Sequence, residues 1–419
     1  MLHQSDQKNV QTPTASVSRV PQDIALQASG VQVTLLTGGG DRPYVHGIGT
    51  ALKATGIGLD LIGSDDVFFP EFRNENGFRF LNLRGSQDSK AGIVEKISRV
   101  LAYYARLIRY AATAQPGIFH ILWNNKFEYF DRTLLMLYYK LLGKRIAYTV
   151  HNVNAGRRDG TDSPLNRATL RAQYRLCDRI FVHTKRMKEE LVSEFGVDES
   201  RVVIIPFGVN NSVPNTTLTR AEARLRLGIA EREKVILFFG NINPYKGVEY
   251  LAKAFQELRA KDSNYRLVIA GKPDRFPEYW EALRATIDED VRAGKIILKA
   301  EFVPDEETEI YFKAADVLVL PYKHIYQSGV LFLAYSFGLP VVAADVGSLP
   351  DEIVEGQTGF VFRSEDSEDL VRSLNRYFSS DLYARLSERR QDIQRHVAER
   401  NSWNKVAKIT ISIYLDMKH

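Results

Sequence analysis

The segment Phe238-Phe239-Gly240-Asn241-Ile242-Asn243-Pro244-Tyr245-Lys246-Gly247 carries an apolar run into a turn and then into a helix beginning near Val248. A strand, a glycine turn, a lysine and a helix start put one cation and several free backbone N–H groups at a single point, which is the chemistry that holds a diphosphate. Lys246 is the candidate clamp. A second such point follows the buried strand in Ala315-Asp316-Val317-Leu318-Val319-Leu320-Pro321-Tyr322. There Gln327-Ser328-Gly329-Val330 opens a helix that runs through Phe337 and is closed by Gly338 and Pro340. The small Ser328 and Gly329 leave its N–H groups open. Two anion-friendly helix starts in one α/β unit fit one pyrophosphate.

These points need strands behind them. From Val31 onward, β-branched runs alternate with helix-length amphipathic segments. Val31–Leu36, Gly117–Leu122, Ile146–Val150, Ile180–His183 and Val202–Pro206 read as buried strands, with helices over Ile93–Ala112, Tyr129–Leu142 and Ser163–Cys177 between them. The pattern restarts with Val235–Phe239, Tyr265–Ala270, Ile296–Phe302, Ala315–Leu320, Pro340–Ala344 and Phe360–Phe362. This βαβ logic predicts an α/β protein of two Rossmann-like, doubly wound domains facing each other across a cleft. The aperiodic stretch Phe207–Thr219 is the linker. The expected layout is a flexible tail over 1–29, a first Rossmann-like domain over 30–206, a second over 207–390 that carries both anion-friendly points, and a C-terminal helix over 391–419. In that helix Trp403, Val406, Thr410 and Ile413 share a face that packs back on the first domain.

The motifs resemble the retaining glycosyltransferases of family 4, which have the two-domain GT-B fold. The resemblance spans most of Val31–His419 and is strongest in Gly240–Gly247, Ile269-Ala270-Gly271-Lys272, Phe302-Val303-Pro304-Asp305, Ala314-Ala315-Asp316-Val317, Gly338–Ala343 and Gly347-Ser348-Leu349-Pro350. It implies that Lys246 holds the donor diphosphate, with backbone N–H groups from Gly329 and Val330. It also implies that Gly271 and Val303 line the base and ribose, with Gly240, Asn241, Lys272, Gln327, Ser328 and Leu333 as further donor-side positions. In the first domain, Gly38-Gly39-Gly40 is similar to the family loop that approaches the diphosphate and acceptor, with Gly39 and Gly40 at the donor. His151, in Thr149-Val150-His151-Asn152, is similar to the family histidine beside the donor sugar, which makes His151 and Lys246 the expected catalytic pair. The family usually has an arginine at the position of Asn241 and glutamates at those of Ile325 and Leu333. Their absence here means that neither the donor identity nor those three contacts transfer.

Composition bounds the partners. With 44% hydrophobic and 26% charged residues the chain is in the ordinary globular range. The single Cys177 offers no disulfide or metal cluster, so a reducing cytoplasmic setting is expected. The only Asp-x-Asp, Asp288-Glu289-Asp290, lies in a helical stretch, and transfer is expected to need neither a divalent ion nor a cofactor. Residues 1–206 hold 27 Lys+Arg against 20 Asp+Glu, a net of +7 within a chain total of +5. Within them, residues 96–145 hold nine basic and two acidic side chains. Arg99, Tyr103, Arg106, Arg109 and Tyr110 on one amphipathic helix suit an anionic bilayer or a lipid-linked glycan, at the inner face of a membrane that no segment of the chain spans. No nucleic-acid partner is expected.

The expected activity is transfer of a hexose from a nucleotide diphosphate sugar, UDP before GDP, to a glycan or lipid-linked acceptor in polysaccharide or glycolipid assembly. Two other readings compete. The missing charged groups at Asn241, Ile325 and Leu333 suit a nucleotide-sugar-binding scaffold without turnover. Gly47-Ile48-Gly49 suggests a dinucleotide oxidoreductase, but it lacks the final glycine and does not directly follow a strand.

Overall fold

The computed structural model of the protein describes residues 30–88, 90–210 and 212–418. The tail expected over 1–29 lies outside the described residues. The first half builds a seven-stranded parallel sheet from β1 (Gln32–Leu36), β2 (Gly58–Gly63), β3 (Phe78–Asn82), β4 (Ile118–Ile121), β5 (Arg145–Thr149), β6 (Arg179–Val182) and β7 (Val202–Ile204), in the order β3-β2-β1-β4-β5-β6-β7. The second half builds a six-stranded parallel sheet from β8 (Lys234–Phe239), β9 (Tyr265–Ala270), β10 (Ile296–Lys299), β11 (Val317–Leu320), β12 (Val341–Ala344) and β13 (Gly359–Phe362), in the order β10-β9-β8-β11-β12-β13. Central strands such as Val317-Leu318-Val319-Leu320 are apolar throughout because helices cover both faces. Strand order reverses between β1 and β4 and between β8 and β11. Ligands of open α/β sheets sit beyond the carboxyl ends of the strands at such reversals.

Three expectations are corrected. The first sheet has β2 and β3 in addition to the five strands anticipated. Gly58-Leu59-Asp60-Leu61-Ile62-Gly63 is bounded by glycines, and Asp60 interrupts its apolar run to take up Arg79 of the edge strand β3 at 2.7 Å. The strand anticipated over Ile296–Phe302 stops at Lys299, and Phe302 is exposed. The segment 391–419 is not one helix. Leu386–Arg400 buries Ile393 and Val397 in the second domain's core, whereas Trp403–Lys418 buries Val406, Ile411, Tyr414 and Met417 in that of the first. The break falls at Asn401, whose amide donates to the Phe207 carbonyl at 3.0 Å and whose carbonyl accepts from Val209 N at 3.0 Å. The chain therefore passes between domains twice, side by side.

Buried polar groups fix these layers. Asp316, fully buried, takes Arg224 at 2.9 Å, Arg220 at 3.0 Å and Val235 N at 2.8 Å, which locks β11 to β8 and gives the Ala-Ala-Asp-Val motif a structural role. In the first domain His120 of β4 bonds Tyr414 Oη at 2.5 Å through Nδ1 and Thr149 Oγ1 at 2.7 Å through Nε2. Burial pushes this imidazole down to about 3, so it is neutral. Tyr414→Phe leaves one ring nitrogen buried without a partner and is expected to cost about 1–3 kcal/mol. An unchanged urea midpoint would refute that role.

Candidate active site

Between the two sheets lies a cavity of about 390 Å³. Its wall from the second domain is made by Tyr245, Lys246, Ile325, Gln327, Ser328, Gly329, Val330 and Leu333, and from the first by Asp41, Tyr44, Trp123, His151, Asn152 and Arg158, with Phe207, Gly208 and Trp403 from the crossing segments.

Lys246 ends the short turn Pro244–Lys246 after β8. Gly247 follows in the left-handed region (φ 63°), and a Cβ there would come within 2.0 Å of the Pro321 carbonyl oxygen. The turn is thereby pressed against the end of β11, and the lysine is directed into the cleft. Its Nζ rests 3.9 Å from the Tyr322 ring centre and 5.2 Å from that of Tyr245. No carboxylate pairs with it among the described residues, and only 8% of the residue is exposed. Burial first, and then the nearby Arg158 charge, push its ammonium down to about 8, against an opposing effect of Tyr245. A buried, unpaired ammonium is an anion site in waiting. From the first domain, Arg158 places its guanidinium 5.0 Å from the centre of the same Tyr245 ring while bonding Asp159 at 2.6 Å.

The helix Gly329–Ser336 opens onto the same space. Ser328 stands at its N-cap with its side chain making no bond to the helix, and the N–H groups of Gly329 and Val330 have no acceptor among the described residues. Such a start attracts a phosphate oxygen.

The first-domain wall is aromatic. The His151 ring stacks on Trp123 (centroids 4.0 Å, planes 5° apart), with Tyr44 at its edge (4.7 Å). His151 Nδ1 lies 3.2 Å from His183 Nε2, and His183 Nδ1 lies 3.3 Å from the Ile205 carbonyl. A carbonyl only accepts, so His183 carries its proton on Nδ1, and His151 then donates from its own Nδ1. Burial, followed by the neighbouring His183 and His120, holds His151 well below the usual histidine range. It is neutral and presents a bare Nε2 lone pair. That Nε2 and both polar atoms of the Gln327 amide are buried without partners among the described residues. Buried polar groups are ordinarily satisfied, so orphans converging on one cavity mark the place of polar ligand groups.

The structure thus gathers Lys246, Gln327, Ser328, Gly329, Val330 and Leu333 on one wall of the cavity and His151 on the wall facing it. The other expected donor-side positions lie around it. Gly240 and Gly271 form the rim at the ends of β8 and β9, where a Cβ on Gly271 would meet the Gly240 carbonyl oxygen at 2.0 Å. Asn241 and Lys272 are exposed there, and Val303 is packed in the second domain's core. Gly39 lies against the Arg84 guanidinium and Gly40 against the Trp123 ring, just behind the cavity. Asp288 and Asp290 are engaged along the helix Pro277–Arg292 with Arg292 and Arg259. Gly47 of the expected dinucleotide fingerprint sits inside the helix Arg42–Lys53 against Trp403.

The helix expected to meet an anionic surface is also corrected. Tyr103 and Tyr110 of Ile93–Thr113 turn inward, to Asn125 at 2.6 Å and to Asp60 and Thr34 at 2.7 Å each. Arg99 bonds the Ser86 and Asp88 carbonyls and Arg106 that of Leu83, whereas Arg109 is exposed. The outer face carries Ile93, Val94, Ile97, Leu101 and Ile108 instead.

Sequence reading missed Tyr44, Trp123, Arg158, Tyr245 and Phe207. Trp123 stands two residues after the end of β4, at the reversal of strand order, the one placement rule that points to it.

Comparison with known proteins matches residues 24–213 to the model described as Glycosyltransferase Family 4 and residues 233–380 to that described as Glycosyl transferases group 1. The chain is 30% identical over 275 residues to an uncharacterized glycosyltransferase, MJ1607, of Methanocaldococcus jannaschii, covering 64% of this chain and 68% of that protein. It is 30% identical over 247 residues to a D-inositol 3-phosphate glycosyltransferase of Streptomyces bingchenggensis. That match covers 57% of this chain and only about half, 53%, of the relative. In structure it resembles Anabaena Alr3699/HepE in complex with UDP and glucose, with a TM-score of 0.69 at 15% identity, covering 92% of this chain and 100% of that one. At that identity the likeness concerns the fold, two Rossmann-like domains in the GT-B arrangement.

Proposed function

Because the chain belongs to the family 4, group 1 glycosyltransferases, we propose that it transfers a hexose from a nucleotide diphosphate sugar, a UDP-sugar in preference to a GDP-sugar, to a glycan or lipid-linked acceptor. The observation that carries this reading is the meeting, in one interdomain cavity, of an unpaired buried ammonium, an open helix start and orphaned polar atoms. Breaking a sugar–phosphate bond builds negative charge on the leaving diphosphate and positive charge on the ring. Lys246, the N–H groups of Gly329 and Val330, and Arg158 from the opposite domain stabilise the first without rearranging. The bare His151 Nε2 and the Gln327 amide bind the hydroxyls of the sugar and set its orientation. Two fixed cations at the diphosphate take the place of a metal, so transfer proceeds in the presence of EDTA. Family membership favours retention of the anomeric configuration, which the proton NMR spectrum of the first-formed product reads directly.

A thermal-shift screen of UDP, GDP, ADP and their sugars tests the donor half, since a ligand of the native state raises the melting temperature. UDP compounds are expected to give the largest rise. No rise with any nucleotide sinks the proposal. One observation favours a second reading, a binder without turnover. Ile325 and Leu333 put apolar side chains on the cavity wall at the positions of the family's glutamates. Donor hydrolysis or transfer by the purified protein separates the two.

The acceptor side faces a membrane in this reading, at the cytoplasmic leaflet, in polysaccharide or glycolipid assembly. No helix among the described residues is long and apolar enough to cross a bilayer. The support is the row Ile93, Val94, Ile97 and Leu101, with Ile97 and Leu101 more than half exposed, next to the exposed Arg106 and Arg109. Vesicles containing anionic lipid are expected to sediment the protein, and Ile97→Asp with Leu101→Asp to reduce the bound fraction at least fivefold. Binding indifferent to anionic lipid and to replacement of Arg106 or Arg109 removes the membrane from the reading.

A further inference from the structure

Tyr326 belongs to the second domain by sequence and to the first by packing. Only 6% of it is exposed, and its ring joins the apolar cluster of Val153, Leu170, Tyr174 and Leu191 in the first domain. Its hydroxyl donates to Glu190 Oε1 of the helix Lys185–Phe195 at 2.9 Å and accepts from the Asn154 backbone N–H at 3.3 Å. Both sequence neighbours, Ile325 and Gln327, line the donor cavity. The backbone that sends the ring across the gap is fixed from the second domain. Ser348 N donates to the Tyr326 carbonyl at 3.1 Å. Gly347, in the left-handed region (φ 59°), lies so close that a Cβ would stand 2.0 Å from the Ile325 carbonyl oxygen. The Gly-Ser-Leu-Pro motif thereby holds the base of this side chain.

Asn154, at the other end of the tie, opens the short helix Ala155–Arg158. Within that turn Arg157 bonds Glu194 Oε1 at 3.0 Å and lies 3.7 Å from Glu190, the carboxylate that accepts from Tyr326. One side chain thus connects the loop before the open helix start at Gly329 with the turn that carries Arg158. A cation on a turn without such support would have to be ordered at every binding event, and that ordering counts against affinity. We propose that Tyr326 is a positioning residue of the donor site, which, anchored in the first domain, fixes the Asn154–Arg158 turn so that Arg158 meets the anion held by Lys246. That this anion is a nucleotide diphosphate rests on the transferase reading above; the tie between the domains does not.

Calorimetric titration with UDP, or with GDP should the thermal screen favour it, across a double-mutant cycle tests the proposal. Tyr326→Phe keeps the ring and removes only the hydroxyl, and is expected to weaken the nucleotide about fivefold or more, the usual effect of one hydrogen bond. In the Arg158→Ala background the same change should weaken it by less than about twofold, because residues that act through one another are not additive. Glu190→Gln still accepts from the hydroxyl and should stay within about twofold of the wild type. A tyrosine that serves stability alone gives equal factors in both backgrounds. Equal factors, or no weakening by Tyr326→Phe, overturn the proposal. Small-angle X-ray scattering of the unliganded full chain adds a readout free of nucleotide. There Tyr326→Ala should increase the radius of gyration and Arg158→Ala should leave it unchanged. If the wild type binds neither nucleotide, the transferase reading fails and the scattering alone decides the tie. A larger radius for Tyr326→Ala then upholds it, and an unchanged one refutes it.

Discussion

Lys246→Ala is expected to lower turnover by about 10²–10³-fold, the usual effect of removing one group preorganised against developing negative charge. The nucleotide-dependent rise in melting temperature should disappear with it. The empty protein behaves in the opposite way. Its buried ammonium lacks a carboxylate partner among the described residues, so Lys246→Met, which keeps the stem and discards the charge, should raise the melting temperature. The pH dependence follows from the same displacement. The ammonium titrates at about 8 in the folded protein against 10.5 when unperturbed. Between those values the unfolded chain holds the extra proton, so stability of the empty protein rises with pH across that window. Nucleotide binding restores the charge and takes up a proton above about 8. Affinity should fall by up to tenfold per pH unit from there, and the Lys246→Ala profile should be flat. A wild-type affinity flat from pH 7 to 9.5 contradicts the assignment of Lys246 to the diphosphate.

Arg158→Ala is expected to cost about 10²-fold in kcat/KM, with little change in the melting temperature. The family's usual arginine is absent at Asn241, which is exposed on the rim, and Arg158 of the opposite domain is the second cation in the proposed reading. Charge-assisted bonds to a phosphate oxygen are about twice as strong as neutral ones, and a guanidinium can make two in parallel. Its neighbour Asp159 is solvated and leaves no buried group stranded once the arginine is gone. The informative comparison is between domains. An arginine that merely braces the loop Ala155–Arg158 would leave nucleotide affinity untouched when replaced, and that outcome would return the diphosphate to Lys246 and the helix start alone. Because Arg158 reaches the diphosphate only when the domains face each other, its loss should also weaken intact donor more than free phosphate.

Lys246 and Ser328–Val330 were legible because strand, turn and helix start are contiguous in the chain, and local steric and dipolar rules place them. Arg158, Tyr44 and Phe207 were not, because they reach the cavity from the short helix Ala155–Arg158, the helix Arg42–Lys53 and the crossing segment, and only the folding of the whole chain makes them neighbours. The doubly wound order was readable from alternating apolar runs, but Asp60 and the flanking glycines concealed β2, and the edge position of β3 left it half polar. Helix Ile93–Thr113 shows the limit of periodicity most plainly. Its inner row Tyr103, Leu107 and Ala111 and its outer row Ile93, Ile97 and Leu101 are both apolar. A pattern that is apolar on two sides cannot say which side is covered, and the tyrosines were assigned to the surface although they belong to the interior.

The two adjacent crossings near Gly208 and Asn401 set how the halves can swing. They are tied to each other by Val209 N to the Asn401 carbonyl (3.0 Å) and by the Trp403 indole N–H to the Val209 carbonyl (2.8 Å). A door hung on two pins turns about the line through them and does little else. Separating Arg158 from Tyr245 by such a turn must also break the bonds of Tyr326 to Glu190 (2.9 Å) and to Asn154 N (3.3 Å), so the two pins and this third tie hold the two walls of the site in one alignment before any molecule arrives.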